Sequence, residues 1–138
     1  MSSRWLCEDQ QFLLVEYTGD GVTSWDAYDR GIDEAWGLAE QSTTDVIVIF
    51  AAYNSPMPVG DPLPHLRRAL QTRPRNVSSV IGIVSSRYES TVMSMFVRLA
   101  GVRGMRVVAS WAAANHVLQS SGLPRVPTSL IPPVPSAS

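Results

Sequence analysis

The hydrophobic pattern is densest between Val46 and Phe50, where every residue is apolar. A strand of this kind has no face toward water, so the run predicts the central strand of a sheet that is covered on both sides. The next regular element is predicted to be a short helix that starts at Asp61, because aspartate caps helices and the following Pro62 needs no amide donor in the first turn. We therefore expect functional residues in the loop and the helix that follow this strand.

The other apolar runs alternate between strand-like and helix-like spacing. Trp5–Cys7 and Phe12–Tyr17 are strand-like, and the polar residues between them predict an antiparallel hairpin. Apolar residues then recur every three or four positions behind a candidate cap at Thr23 or Ser24, which predicts an amphipathic helix. The predicted elements are strands at residues 5–7, 12–17, 46–50, 77–84 and 105–109 and helices at about residues 24–41, 61–73, 86–100 and 112–119.

The predicted order, ββαβαβαβα, indicates a single α/β domain over residues 1–122. Strands that alternate with helices pair in parallel through right-handed crossovers. We therefore expect a mainly parallel sheet of about five strands with about four helices, in which the first hairpin is antiparallel. Residues 123–138 are rich in proline and serine and lack periodicity, so we expect a solvated tail that is poorly ordered unless it docks on the domain.

Composition narrows the class of protein. With 138 residues, of which 45% are hydrophobic and 17% charged, the chain can bury the core of one folded domain. Cys7 is the single cysteine, which excludes an intramolecular disulfide. No apolar run approaches the roughly 20 residues of a membrane helix, and no signal-peptide core follows the first residues, so we expect a cytoplasmic protein.

The charged residues are divided unequally along the chain, although the net charge is only −1. Residues 1–61 contain eleven acidic residues and two arginines, for a net charge of −9, whereas residues 62–138 contain nine arginines and one glutamate, for +8. Either these charges pair or are solvated within one fold, or they support self-association or an acidic partner. No nucleic-acid motif accompanies the arginines, so we do not expect nucleic acid as a partner.

The order of elements resembles the STAS fold, the family of bacterial anti-sigma factor antagonists, and in particular its divergent relatives grouped with Sec14-type lipid-binding domains. The resemblance covers residues 5–121 and depends on the hairpin, the acidic first helix, the central strand and the two strand–helix units after it. In STAS antagonists the loop after this strand carries Asp-Ser-Ser-Gly, and phosphorylation of a serine at the start of the next helix switches partner binding. Here residues 58–62 read Pro-Val-Gly-Asp-Pro, so the carboxylate of Asp61 stands where that serine would be.

The loops at the carboxyl edge of a parallel sheet are the favoured place for a binding site in α/β proteins. To the residues of these loops we add the arginines of the predicted second helix, because they belong to the densest basic group of the chain. The candidate residues for binding a partner or ligand are therefore Tyr53, Asn54, Ser55, Asp61, Arg67, Arg68, Ser86, Arg87 and Trp111. The alternative is that these are ordinary turn and cap residues, and Ser86 in particular fits the first position of a capping box.

No strong catalytic or metal-binding motif is present. A hydrolase would have to use Ser55, Asp61 and His65, of which the last two are four residues apart on one helix face, but no G-x-S-x-G elbow exposes the serine. His116 has no acidic neighbours, and two distant histidines with one cysteine do not make a metal site. Cys7 is expected to be a small buried residue. We therefore predict no enzyme activity, no metal and no cofactor.

Trp25 and Trp36 fall on one face of the first helix, which predicts that both pack against the sheet. The alternative is a cavity for an apolar ligand between this helix and the sheet, as the Sec14-like resemblance implies. The leading hypothesis is a non-enzymatic regulatory or protein-interaction domain that binds a partner or itself through the loop and helix after the central strand. The alternative hypothesis is a carrier or sensor of a small apolar, lipid-like ligand.

Overall fold

A computed structural model of the chain describes a five-stranded sheet with helices on both faces. The described residues are 1–17, 24–52, 58–84 and 105–133, together with Thr91, Ser94 and Arg98, which are helical. The strands are β1 (Ser2–Trp5), β2 (Phe12–Tyr17), β3 (Val46–Ala52), β4 (Val77–Val84) and β5 (Met105–Val108), and the helices are α1 (Trp25–Glu40), α2 (Leu63–Gln71) and α3 (Trp111–Ser120), with a 3-10 helix at Thr128–Leu130. The described ranges thus contain three α-helices, and the fourth predicted helix, at residues 86–100, falls mainly outside them.

The five strands lie side by side in chain order. β1 pairs antiparallel with β2, and the other neighbouring strands pair in parallel, which confirms the predicted mixed sheet. β3 is the middle strand, and its residues from Val46 to Ile49 are all buried. Because β2, β3 and β4 are parallel, the helices that connect them, α1 and α2, both begin at the carboxyl edge of the sheet.

The first strand lies earlier in the chain than predicted. It spans Ser2–Trp5, whereas the expected strand covered residues 5–7. The Cys7 carbonyl accepts a hydrogen bond from the Gln10 amide at 3.2 Å, and Gln10 has a positive φ of 57°. This turn ends the pairing with β2, so the prediction at residues 5–7 was wrong except at its first residue. The apolar Leu6 contributes to the core from the turn, where it is buried.

Backbone groups at both ends of α1 form hydrogen bonds with side chains. Ser24 Oγ accepts a hydrogen bond from the Ala27 amide at 3.1 Å, which confirms it as the N-cap. At the other end, Asn76 Nδ2 donates to the Ala39 carbonyl at 2.7 Å. The amides and carbonyls at helix ends lack partners within the helix, so these two contacts fix where α1 starts and stops on the sheet.

Strand side chains alternate between two faces of the sheet, and each face has its own apolar core. We call the first the helix-pair face; its buried residues are Leu13, Val15, Val46, Val48, Val77, Val80 and Met105 of the strands, Ile32, Ala35, Trp36 and Ala39 of α1, and Ala69 of α2. We call the second the tail face; its buried residues are Leu6, Phe12, Leu14, Ile47, Ile49, Ala51, Ile81, Ile83, Trp111, Ala114, Leu118 and Val126. A sheet with no wet face explains why β3 is apolar throughout.

The segment after α3 docks on the tail face. Gly122 follows the helix with a positive φ of 73°, a conformation that glycine adopts readily at a helix end, and the Leu123 amide donates to the Leu118 carbonyl at 2.9 Å. Val126 is 1% exposed, and its amide and carbonyl both bond the side chain of Asn115, at 2.8 and 3.1 Å. Thus part of the proline-rich segment covers sheet that α3 is too short to cover.

Candidate functional site

The start of α2 is shaped by Gly60 and Asp61. Gly60 has a φ of 119°, which favours glycine, and Asp61 Oδ1 accepts a hydrogen bond from the Leu63 amide at 3.0 Å. The carboxylate therefore performs the predicted capping role, although regular helix begins only at Leu63. The pairing of Asp61 with His65 that a hydrolase would need does not form, because His65 pairs with another acid.

That acid is Asp29 of α1, in the adjacent helix. His65 Nδ1 lies 3.0 Å from Asp29 Oδ2 and 3.1 Å from Oδ1. The imidazole also stacks on the indole of Trp25, with ring centres 5.0 Å apart and an angle of 8° between the planes. The residues are only partly exposed, with side-chain accessibilities of 26% for His65 and 22% for Asp29. This contact joins the first turn of α2 to the first two turns of α1.

Two tyrosines extend the cluster toward the end of β2. Tyr28 packs edge-on against Trp25, with ring centres 5.2 Å apart, and stacks on Tyr17 at 6.3 Å. Burial raises the pKa of Tyr17 well above its ordinary value; burial likewise raises the pKa of Tyr28, and the charge of Asp29 adds to that shift. We call Tyr17, Trp25, Tyr28, Asp29 and His65 the junction cluster.

Two further contacts hold α1 and α2 side by side. Arg68 Nη2 donates to both carboxylate oxygens of Asp33, at 3.0 and 3.1 Å, and this hydrogen bonding raises the pKa of the guanidinium. Deeper in the core, Trp36 Nε1 donates to the Ala69 carbonyl at 3.0 Å. Trp36 packs on the sheet as predicted, with its ring against Phe50 of β3, whereas Trp25 is buried against Tyr28 and His65 and belongs to neither core. Through these contacts and the junction cluster, α2 is held against α1 along most of its length.

The outward side of α2 is apolar and basic. Val59 is 100% exposed and Leu63 is 41% exposed, and they are the exposed large apolar residues of the part of the chain that the structure describes. Pro64 and Arg67 are exposed as well, and Arg67 lies one helical turn after Leu63. We call these four residues the α2 surface. An exposed apolar patch with a positive charge is a feature of protein-binding surfaces.

The structure brings together only part of the predicted set of binding residues. Asp61, Arg67 and Arg68 lie on or before α2, as expected from their positions in the sequence. Trp111 is 5% exposed and belongs to the tail-face core, so it does not line an open site with them. The remaining candidates lie outside the described residues: Tyr53, Asn54, Ser55, Ser86 and Arg87.

Sequence reasoning missed the junction cluster. Asp29 and His65 are 36 positions apart, so no local spacing links them. A usable signal was nevertheless present: two helices that follow neighbouring parallel strands begin at the same edge, so polar residues in their first turns come close together. His65 and Asp29 satisfy that condition.

Among the described residues, no group of three or more histidine, cysteine, aspartate or glutamate side chains is placed to hold a metal ion. Cys7 Sγ donates to Asp9 Oδ1 at 2.6 Å, and partial burial together with this bond raises the pKa of the thiol. The reactive thiolate form of Cys7 is therefore disfavoured.

None of the helices in the described ranges has the length and apolar character required to cross a membrane.

Comparisons with protein-family models, curated proteins and solved structures give no match for this chain. The resemblance to STAS domains thus stays a prediction from the order of elements.

Proposed function

We propose that this chain is a non-enzymatic, STAS-like protein-interaction domain of regulatory type, and that it binds its partner through the α2 surface. The observation that carries the proposal is the exposure of Leu63 one helical turn before Arg67, together with the exposure of Val59 just before the helix. Covering apolar side chains releases about 25 cal/mol per Å² of buried area, so a partner gains most where such side chains are exposed together.

The rigidity of α2 supports the same proposal. The contact of His65 with Asp29, the ion pair of Arg68 with Asp33 and the hydrogen bond from Trp36 hold α2 in place before any partner arrives. A surface that is already ordered loses little conformational entropy on binding, which favours affinity. The junction cluster is thus best interpreted as a support for the α2 surface.

The STAS resemblance assigns partner binding to the same part of the fold. Here the helix start carries the fixed negative charge of Asp61 instead of a phosphorylatable serine. Binding would therefore not be switched by phosphorylation at that position. An apolar-ligand carrier receives less support, because Ile32, Ala35 and Trp36 are buried between α1 and the sheet and occupy the region that a ligand would need.

Affinity capture with the full chain tests the proposal. Immobilised wild-type protein, Leu63→Glu and Arg67→Glu are exposed to a cell extract that contains the untagged chain, and the proteins retained are quantified by mass spectrometry. The matched control is Arg125→Glu, which reverses an exposed charge away from α2. We expect both α2 variants, but not the control, to retain at least about tenfold less of a protein that the wild type retains specifically. Retention of the same proteins in the same amounts by all four samples would contradict the proposal.

A further inference from the structure

The two helices of the helix-pair face present opposite charges to solvent. The exposed charged residues of α1 are Asp26, Arg30, Asp33, Glu34 and Glu40, four acids with one arginine. The outward side of α2 carries Arg67 and no acid. The contrast follows the division of charge between the two halves of the chain. A surface with both signs on neighbouring helices can be complementary to itself.

The direction of the helices decides how two copies can match these charges. Asp29 meets His65, Asp33 meets Arg68 and Trp36 meets Ala69, so residue numbers rise together and α1 and α2 run parallel. A two-fold axis parallel to the helices places α1 of each copy opposite α2 of the other. An axis that crosses the helices places α1 opposite α1, acid against acid, which is unfavourable.

We infer that the partner for the α2 surface is a second copy of this chain, whose acidic α1 docks on it in a symmetric dimer with the axis along the helices. This inference rests on the proposed function and names the partner. The contacts between α1 and α2 place Arg67 at the level of Arg30 to Glu34. Of the two exposed acids at this level, Asp33 already pairs with Arg68 within each copy, so Arg67 is placed opposite Glu34 of the partner subunit. The aliphatic part of the partner's Arg30 can cover Leu63.

The expected dimer is weak and sensitive to salt. α1 has 16 residues and so is about 24 Å long, and packed helices lie about 10 Å apart. Two such helices offer a footprint of about 500 Å² per copy, which is at the low end for specific protein interfaces. Because this interface contains few apolar residues, the charges contribute a large share of the binding free energy. We therefore expect the dissociation constant to rise with ionic strength.

A charge-swap experiment by analytical ultracentrifugation tests the inference. Arg67→Glu and Glu34→Arg are measured separately and as an equimolar mixture, at low and high salt, with Arg125→Glu as the control. In either variant alone both symmetric contacts join like charges. In the mixed dimer one contact is native and the other is the swapped pair. We therefore expect each variant alone to dimerise at least about tenfold more weakly than wild type and the mixture to recover most of that loss.

The outcomes separate this inference from the proposed function. A monomeric wild type at low salt and high concentration, or a mixture no stronger than its components, would overturn the second-copy inference. If the α2 variants retain less of a protein other than this chain in the capture experiment, the proposed function stands and only the second-copy inference is wrong. If neither capture nor self-association depends on the α2 surface, both are wrong.

Discussion

The helix-pair face and the tail face cover the same sheet in different ways. On the helix-pair face, side-chain contacts join residues 33 to 36 positions apart in two helices. On the tail face, one helix of ten residues covers part of the sheet, and an irregular segment pinned by Asn115 covers more of it. The comparison shows that an apolar strand requires a cover on each side but does not specify which element provides it.

The outer surfaces of the two covers also differ. α3 exposes small or polar residues, among them Ala112, His116 and Gln119. The α2 surface instead exposes Val59 and Leu63 beside a positive charge. We interpret the tail face as a closure that stabilises the fold and the helix-pair face as the side used for recognition.

The largest effect is expected from removing the two hydrogen bonds between the Asn115 side chain and the Val126 backbone on the tail face. Asn115→Ala leaves the amide and the carbonyl of the buried Val126 without their partner, at a cost of about 2–3 kcal/mol in the free energy of unfolding. Urea denaturation measures this loss. Hydrogen exchange should speed up in the segment around Val126 and not in α1; equal acceleration in α1 would contradict the separation of the two faces.

A smaller effect is expected from the tyrosines of the junction cluster, and only in alkaline solution. Near neutral pH both tyrosines are protonated whether folded or unfolded, so their raised pKa values do not change stability. Above about pH 10 the unfolded chain loses these protons while the folded chain keeps them, so each tyrosine lowers the free energy of unfolding by up to about 1.4 kcal/mol per pH unit.

Tyr17→Phe removes one of these titrating groups. Its loss of stability between neutral and alkaline pH should be shallower than that of wild type, as measured by urea denaturation at each pH. Identical slopes for the two proteins would show that Tyr17 titrates normally in the folded state.

The smallest effect is expected from the contact between α1 and α2. In a double-mutant cycle, Asp29→Asn and His65→Phe, the latter chosen to keep a ring against Trp25, should show a coupling of about 1 kcal/mol in the free energy of unfolding. The cycle of Asp33 and Arg68 serves as a matched comparison, because that pair is more exposed and its coupling should fall further with added salt. A coupling of zero for Asp29 and His65 would mean that stacking on Trp25 alone holds the junction.

Local patterns were sufficient to predict most of the fold. The apolar run after Asp45, the cap at Ser24 and the strand from Val77 to Val84 each depend on residues near in sequence, and each was predicted close to its observed position. The same holds for the order of strands and helices, from which the mixed sheet follows because parallel strands need crossovers. The boundary of β1 was misplaced because a turn at Gln10 outweighed the apolar character of Leu6 and Cys7.

Only the tertiary structure decided which polar groups meet. His65 had a plausible local partner four residues away, yet it pairs with Asp29, because packing of α1 beside α2 brings that carboxylate to the imidazole while Asp61 is occupied by the helix cap. Hydrophobic periodicity likewise did not predict the docking of Val126 on Asn115 or the exposure of Leu63. Periodicity reports which side of an element is apolar, whereas the pairing of two side chains depends on the distance between elements, which is set when both pack on the sheet.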